Sequence, residues 1–469
     1  MTKTSTLGII ASLVFLAASC TPQPPPYQPA LGNEGEIQLY LQPLPQEADR
    51  IAFSITAISA IRHDGGVVQL RQLLTELKPR ELLTVQKRLA WATLPPGLYE
   101  GISVEIGTAS LLGEHGAVDL LVPDGPLFIE QEFTVARRRA NTLFLSLAPA
   151  KLLGGGFRFT PLFSLAEPRR QLEGLLGFAT DSGSNLVSVF NKLTMEVVDT
   201  IATGSGPQGA VLDQRGGWVY VALAADDAIE GIEVGSLEIL RRARLHSGDE
   251  PVEIALSADG ATLVSANFGS NTASIFDTTS LREEGRVRLP TEPTSVVVSE
   301  SGKRAYLLHS LSNAISVIDL TRLELAATRT FEESPVRGAM NKDGDRLYVI
   351  TRNSPNLLVI DPVSLTLIER ILVGTGATCI KIDPKTDLIY VGKQDGDIDV
   401  VDPSSLMSID VFMTNSNVAF LSIDDEEDAL FVVMPESREV RKLNLISKRS
   451  LGTIEIADGG YAVVLMGER

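Results

Sequence analysis

The chain has 469 residues, 44% of them hydrophobic, with 59 acidic against 41 basic side chains and a formal net charge of −18. That length supports two or three domains with buried cores, and the hydrophobic content excludes a largely disordered chain. The excess of acid argues against nucleic acid or an anionic membrane face as a partner held by charge.

The first twenty residues read as an address. Lys3 gives a thin charged start, residues 7–18 are apolar but too few to span a bilayer, and Ala17-Ala18-Ser19 puts small residues before Cys20. This resembles a bacterial lipoprotein signal, with one departure: Ala17 stands where that family usually has Leu. The resemblance implies removal of residues 1–19 and lipidation of Cys20. It also implies a place in the cell envelope, facing periplasm or exterior, with the membrane as a partner through the lipid. The alternative is an ordinary secretory signal with an incidental cysteine. With Cys20 acylated, Cys379 is the one cysteine left and no internal disulfide is expected. The Pro-rich spacer of residues 20–34 is expected to be extended, to reach about 40 Å, and to hold the folded part off a lipid surface.

Residues 35–167 lack the repeat found further on. Strands are predicted at 36–41, 51–61, 99–106, 128–135, 142–147 and 157–165; Ile51, Phe53 and Ile55 alternate as in a half-buried strand. Residues 73–89 carry helix formers and predict one short helix broken at Pro79. Leu94-Pro95-Pro96-Gly97-Leu98-Tyr99 followed by Ile102-Ser103-Val104 resembles the central motif of a transthyretin-like domain found in envelope lipoproteins. That implies a small β-sandwich and no particular activity. The hinge at 165–172 is short, so contact between the two parts is expected.

From residue 172 to 469 one unit recurs, shown best by residues 346–387: four short apolar, β-branched runs cut by Ser354-Pro355, Asp361-Pro362 and Gly374-Thr375-Gly376. The residues ending its second run, Asn191, Glu233, Asp277, Asp319, Asp361, Asp402 and Asn444, lie 41 to 44 positions apart. Seven four-stranded units of this period predict a seven-bladed β-propeller, so the fold class is all-β, a propeller preceded by a small β-sandwich. Residues 263–277, 306–319 and 347–361 resemble the YVTN-type propeller repeat, a likeness that speaks to fold and leaves function open. Residues 175–180 match the second strand of a unit and 461–466 the strand before it. The two chain ends are therefore expected to pair in one blade.

Motifs of chemistry are few. The four histidines, His63, His115, His246 and His309, have no metal-ligand spacing, and no Cys-x-x-Cys-His exists to hold a c-type haem, so no metal or cofactor is expected. Asp395-Gly396-Asp397 opens like a calcium loop, but Val400 stands at the sixth place, which needs Gly, and the twelfth place is not the Glu that loop requires. Gly204-Ser205-Gly206-Pro207-Gln208-Gly209 spells a dinucleotide loop, yet a strand follows where a helix is required. The acidic run 424–428 reads as a solvated loop. No catalytic residue is named.

One constellation remains. Loops between blades and hairpins between second and third strands open on the same face. They offer His246, Glu253 and Arg337 from the former and Asn267, His309 and Arg352 from the latter as candidate binding residues. Taken singly, each also reads as a solvated turn residue. The turns of the opposite face repeat one small-polar or Asp-Gly chemistry, whereas the position two after each inter-blade Pro changes: Gly209, Glu253, Ser295, Arg337, with Cys379 at the matching place. The expected function is a non-enzymatic envelope lipoprotein whose propeller is a binding or assembly platform for protein or glycan. The alternatives are a lactonase-like hydrolase with His246, Glu253 and Arg337 as its acid–base cluster, and a cell-surface structural or adhesion protein.

Overall fold

In the computed structural model of the chain the described residues are 27–114, 116–149, 152–352 and 354–468. Cys20, the signal region and His115 lie outside them. Each repeat folds as four antiparallel strands because its β-branched runs are short and each ends in turn residues. Seven such sheets form. The first blade has Gly460–Leu465 innermost, then Leu176–Asp181, Leu186–Asn191 and Glu196–Ala202. The inner strands of the other six are Pro207–Asp213, Pro251–Leu256, Pro293–Val298, Ser334–Met340, Ala377–Ile382 and Phe420–Asp424. The two chain ends pair as expected, with Phe178 opposite Val464 and Ala179 opposite Val463. Ring closure thus buries an apolar strand that would otherwise be an open edge.

Ahead of the propeller two sheets share one core. The first runs Phe163–Ala166, Ala140–Leu147, Gly35–Leu41, Lys87–Leu94, Arg71–Gln72; the second is built on Ile51–Arg62 and Gly97–Gly113. Between them lie Ile37, Leu39, Ile55, Ile102, Phe133, Leu145 and Phe159. Tyr99, from the Pro-Pro-Gly-Leu-Tyr motif, stacks on Phe133 at 5.2 Å and donates its hydroxyl to the Pro95 carbonyl at 2.9 Å. The motif therefore folds its own turn onto the core.

Two expectations are corrected here. The helix is a single turn, Pro79–Leu82, which Pro79 opens rather than breaks, since its missing N–H costs nothing at a first helical position. The helix formers after it belong to the strand Lys87–Leu94, whose alternation is hidden because most of its side chains are buried. The acidic run is a solvated loop only in part: residues 425–428 form a turn with Glu426 and Asp428 exposed, but Asp424 ends a strand fully buried and pairs with Lys192 at 2.7 Å, and Glu427 pairs with Lys442.

The two parts share packing. Tyr40 and Phe144 join Phe190, Met195, Phe431, Val440 and Ile454 in one apolar cluster. Gln86 reaches the outermost strand of the first blade and bonds both ways with the Val197 backbone, accepting its N–H at 2.9 Å and donating to its carbonyl at 3.0 Å. Thr142 donates to Asp199 at 2.9 Å, Lys87 pairs with Glu455, and Arg139 pairs with Glu238. The sandwich thereby covers exposed blade edges. Among the described residues no helix is long and apolar enough to cross a membrane.

Candidate functional site

The inner strands carry their early residues toward the axis. Arg337 of the fifth blade reaches Glu253 of the third at 3.1 Å and donates to the Ala419 carbonyl of the seventh at 3.4 Å. Its guanidinium also lies 5.5 Å from the Phe420 ring and 5.3 Å from the Tyr461 ring. One side chain therefore touches three other blades, which is possible only across the axis. Gly209 completes the fit: a Cβ there would come 2.9 Å from the Glu253 Cα and the Val252 carbonyl oxygen. The variable position after each inter-blade Pro is thus the lining of the channel.

Electrostatics follow from enclosure. Burial raises the Glu253 pKa, opposed by Arg337. For Arg337 burial works downward, but Glu253 and the neighbouring Tyr461 and Cys379 more than offset it and the pKa ends above its ordinary value. Burial likewise pushes the Cys379 thiol up to about 11, so it is a poor nucleophile. The pair is a charged plug held by aromatic rings.

The six candidates divide. Glu253 and Arg337 meet in the channel, below the rim rather than on it. Asn267 and His309 are fully buried at the ends of second strands, not in the hairpin loops that follow. Asn267 donates to Thr272 at 3.0 Å and Ser274 at 2.9 Å; His309 Nε2 bonds Ser316 at 2.9 Å. Lys393 at the same place in the sixth blade pairs with Asp399 at 2.8 Å. These positions tie second strand to third, and burial lowers the His309 pKa to about 4, keeping the ring neutral. His246 and Arg352 are exposed on the channel-mouth face, and Arg352 approaches the Ser310 hydroxyl at 3.4 Å. His246 does not join Glu253 and Arg337: its backbone N–H bonds Asp249 while its ring stays in solvent.

Sequence reading missed three participants. Phe420 carries no sequence signal and Tyr461 only that of the closing strand 461–466, yet both rings flank the Arg337 guanidinium in the channel. Tyr27, inside the Pro-rich segment, lies on the channel-mouth face, where Gln208 donates to its hydroxyl at 2.5 Å. An aromatic amid prolines was the available signal. A second concavity of about 560 Å³ lies between sandwich and propeller, walled by Glu36, Arg88, Trp91, Ser184, Arg438 and Glu455. Within it Glu36 bonds Gln38, which accepts from Arg88 at 2.7 Å, and burial brings Glu36 and the nearby Asp181 each to about 7. Among the described residues no group of three His, Cys, Asp or Glu side chains is placed to hold a metal ion.

Comparison with known proteins agrees with this architecture. A family model described as a YNCE-like beta-propeller matches residues 187–387. No curated protein matches the chain. Among solved structures, a functionally unknown protein from Desulfotomaculum acetoxidans DSM 771 is similar at 15% identity and a TM-score of 0.56, over 62% of this chain and 99% of that one. The dihydro-heme d1 dehydrogenase NirN, in complex with DHE, is similar at 12% identity and a TM-score of 0.50, over 64% and 77%. The Cps50 (Swd1) beta-propeller domain of Myceliophteria thermophila is similar at 13% and 0.50, over 56% and 90%. At such identities the likeness is one of fold: this chain contains a β-propeller.

Proposed function

We propose that the chain is an envelope-anchored lipoprotein, with a transthyretin-like first domain and a YVTN-type propeller, whose channel-mouth face is a binding platform for a protein or glycan partner. The observation that carries the reading is the contrast between the two faces. The far-side turns repeat one geometry, Ser257 to Gly260, Ser299 to Gly302 and Asn341 to Gly344, each closed by the same backbone bond. The channel-mouth loops differ in length and charge and leave His246, Glu332 and Arg352 in solvent. Because Arg337 and Glu253 plug the axis beneath, recognition falls to the rim.

Anchoring would orient this face. Residues 27–34 lie along the folded protein, so a lipid on Cys20 would sit at most seven residues, about 25 Å, from Tyr27. That is shorter than the 40 Å expected of the whole spacer, and it keeps the channel mouth on the lipid side. Attachment through several acyl chains is firm. Photo-crosslinking in living cells tests the platform: probes at His246 and Arg352 should trap a partner, while probes at Asp259 and Asp343 on the far side should not. Equal trapping from both faces, or none, overturns it. Cys20→Ala should move the protein out of the detergent-requiring membrane fraction.

A further inference from the structure

The loop between the first and second blades differs from its counterparts. Thr203 to Pro207 are all buried, whereas His246 to Gly248, Thr291 and Thr375 in equivalent loops are exposed. What covers it is the chain's own segment Tyr27-Gln28-Pro29-Ala30. Asn185 Nδ2 donates to the Gln28 carbonyl at 2.9 Å, and the Ala30 N–H donates to Ser205 Oγ at 2.8 Å. Asn185 also accepts the Gly206 N–H at 2.9 Å, so one side chain holds both loop and segment. The Tyr27 ring lies against Gly206, whose φ is +70°; a Cβ there would come 2.9 Å from the ring's Cδ1 and Cε1 and 3.0 Å from the Ala225 nitrogen. Gln208 then fixes the ring's hydroxyl.

We propose that this groove is a peptide-binding site for extended, proline-flanked segments carrying a tyrosine, and that residues 27–30 are its resident ligand in cis. Two of its three polar contacts go to main-chain groups, the Gln28 carbonyl and the Ala30 N–H. The third reads the Tyr27 hydroxyl. Pro29 presets the backbone between the two main-chain contacts, so little conformational freedom is lost on docking. None of these features is peculiar to this chain: a partner segment with Tyr two places before Pro presents the same groups in the same order. The tethered copy is favoured by its high effective concentration, so a partner must displace it. The inference rests on the platform reading in assigning a partner to this face, but its test does not.

The test uses the full chain and a labelled hexapeptide of the sequence of residues 27–32. With Tyr27→Ala, which vacates the ring's seat, the peptide should bind saturably. Wild type should bind it at least tenfold more weakly because the cis copy competes. Adding Asn185→Asp and Ser205→Ala to Tyr27→Ala should weaken binding at least tenfold, about the value of one good hydrogen bond. Asn185→Asp keeps the acceptor for Gly206 and tolerates the left-handed backbone at 185, so the fold is retained, and melting curves check this. A peptide with its tyrosine replaced by alanine should not bind. Equal binding by wild type and Tyr27→Ala, binding by neither, or indifference to the peptide's tyrosine overturns the proposal. Peptide binding with no rim crosslink would sink only the platform; the reverse would sink only the groove.

Discussion

At the scale of single residues, burial decides what charge does. Glu253 and Arg337 look alike in sequence to any exposed loop pair, but they are enclosed among Phe420, Tyr461 and Cys379. Removing one partner leaves the other buried and unpaired, so Arg337→Ala is expected to cost about 3–5 kcal/mol in chemical denaturation. Replacing both, with Arg337→Met and Glu253→Leu, should cost less than either single change to alanine. If the single change proves harmless, the plug does not exist as described. Titration gives a second check. Glu36 is raised from 4.5 to about 7 and Asp181 from 3.8 to about 7, both mainly by burial and opposed by Arg88. Their protonated forms favour the fold, so the stability they contribute is complete below about pH 4 and is lost as pH rises through 7. His309 runs the other way: depressed from 6.5 to about 4 by burial, it contributes above 6.5 and fails as pH falls through 4. Because two acids outweigh one histidine, stability should rise as pH drops from 8 to about 5.5 and then level off toward 4, where His309 offsets most of the further gain. Glu36→Gln keeps the oxygen that accepts from Gln38 and should flatten the upper limb by on the order of 2 kcal/mol at pH 8. An unchanged slope would refute this assignment.

At the scale of elements, the last strand matters most. Gly460–Leu465 pairs with Leu176–Asp181, and its Ala462 and Val464 pack with the first and second blades. A chain ending at Gly459 loses that strand and leaves the first blade open on the axis side. It should aggregate and lose its cooperative melt; a soluble truncation melting at the full-length temperature would refute ring closure. The second-strand ends teach a different lesson. Asn267 and His309 sit where a period-based reading begins the hairpin loop, but the strand continues through them. Their side chains are spent on Ser274 and Ser316. A one-residue difference in where a strand ends thus separates a binding residue from a core one.

At the scale of the whole molecule, sandwich and propeller are joined by more than a hinge. Gln86 satisfies an edge strand's backbone at Val197, and Tyr40 and Phe144 extend the packing of the first and seventh blades. The two parts should unfold in one calorimetric transition. Gln86→Ala leaves that backbone pair buried without partners and is expected to cost roughly 1–3 kcal/mol. It should do so without splitting the transition; two separate transitions in the wild-type chain would show that the interface is too weak to couple them.

The repeat of 41 to 44 residues, the turn punctuation and the match between residues 175–180 and 461–466 determined the propeller, its seven blades and its closure. They could do so because strand, turn and period are local properties, written again in every repeat. The sandwich was legible in part: the alternation of Ile51, Phe53 and Ile55 marked its strand, while Lys87–Leu94 was masked by burial on both sides. The variable position in each inter-blade loop was also visible, as Gly209, Glu253, Ser295 and Arg337. What it meant was not. That Glu253 and Arg337 pair with each other depends on a distance across the axis between blades 84 residues apart in sequence. Equally, Tyr27 meets Gly206 and Gln208 only because the sandwich lies against the first blade and brings the preceding segment over the channel mouth. Contacts of that kind are fixed by ring closure and domain packing, and no run of neighbouring residues encodes them.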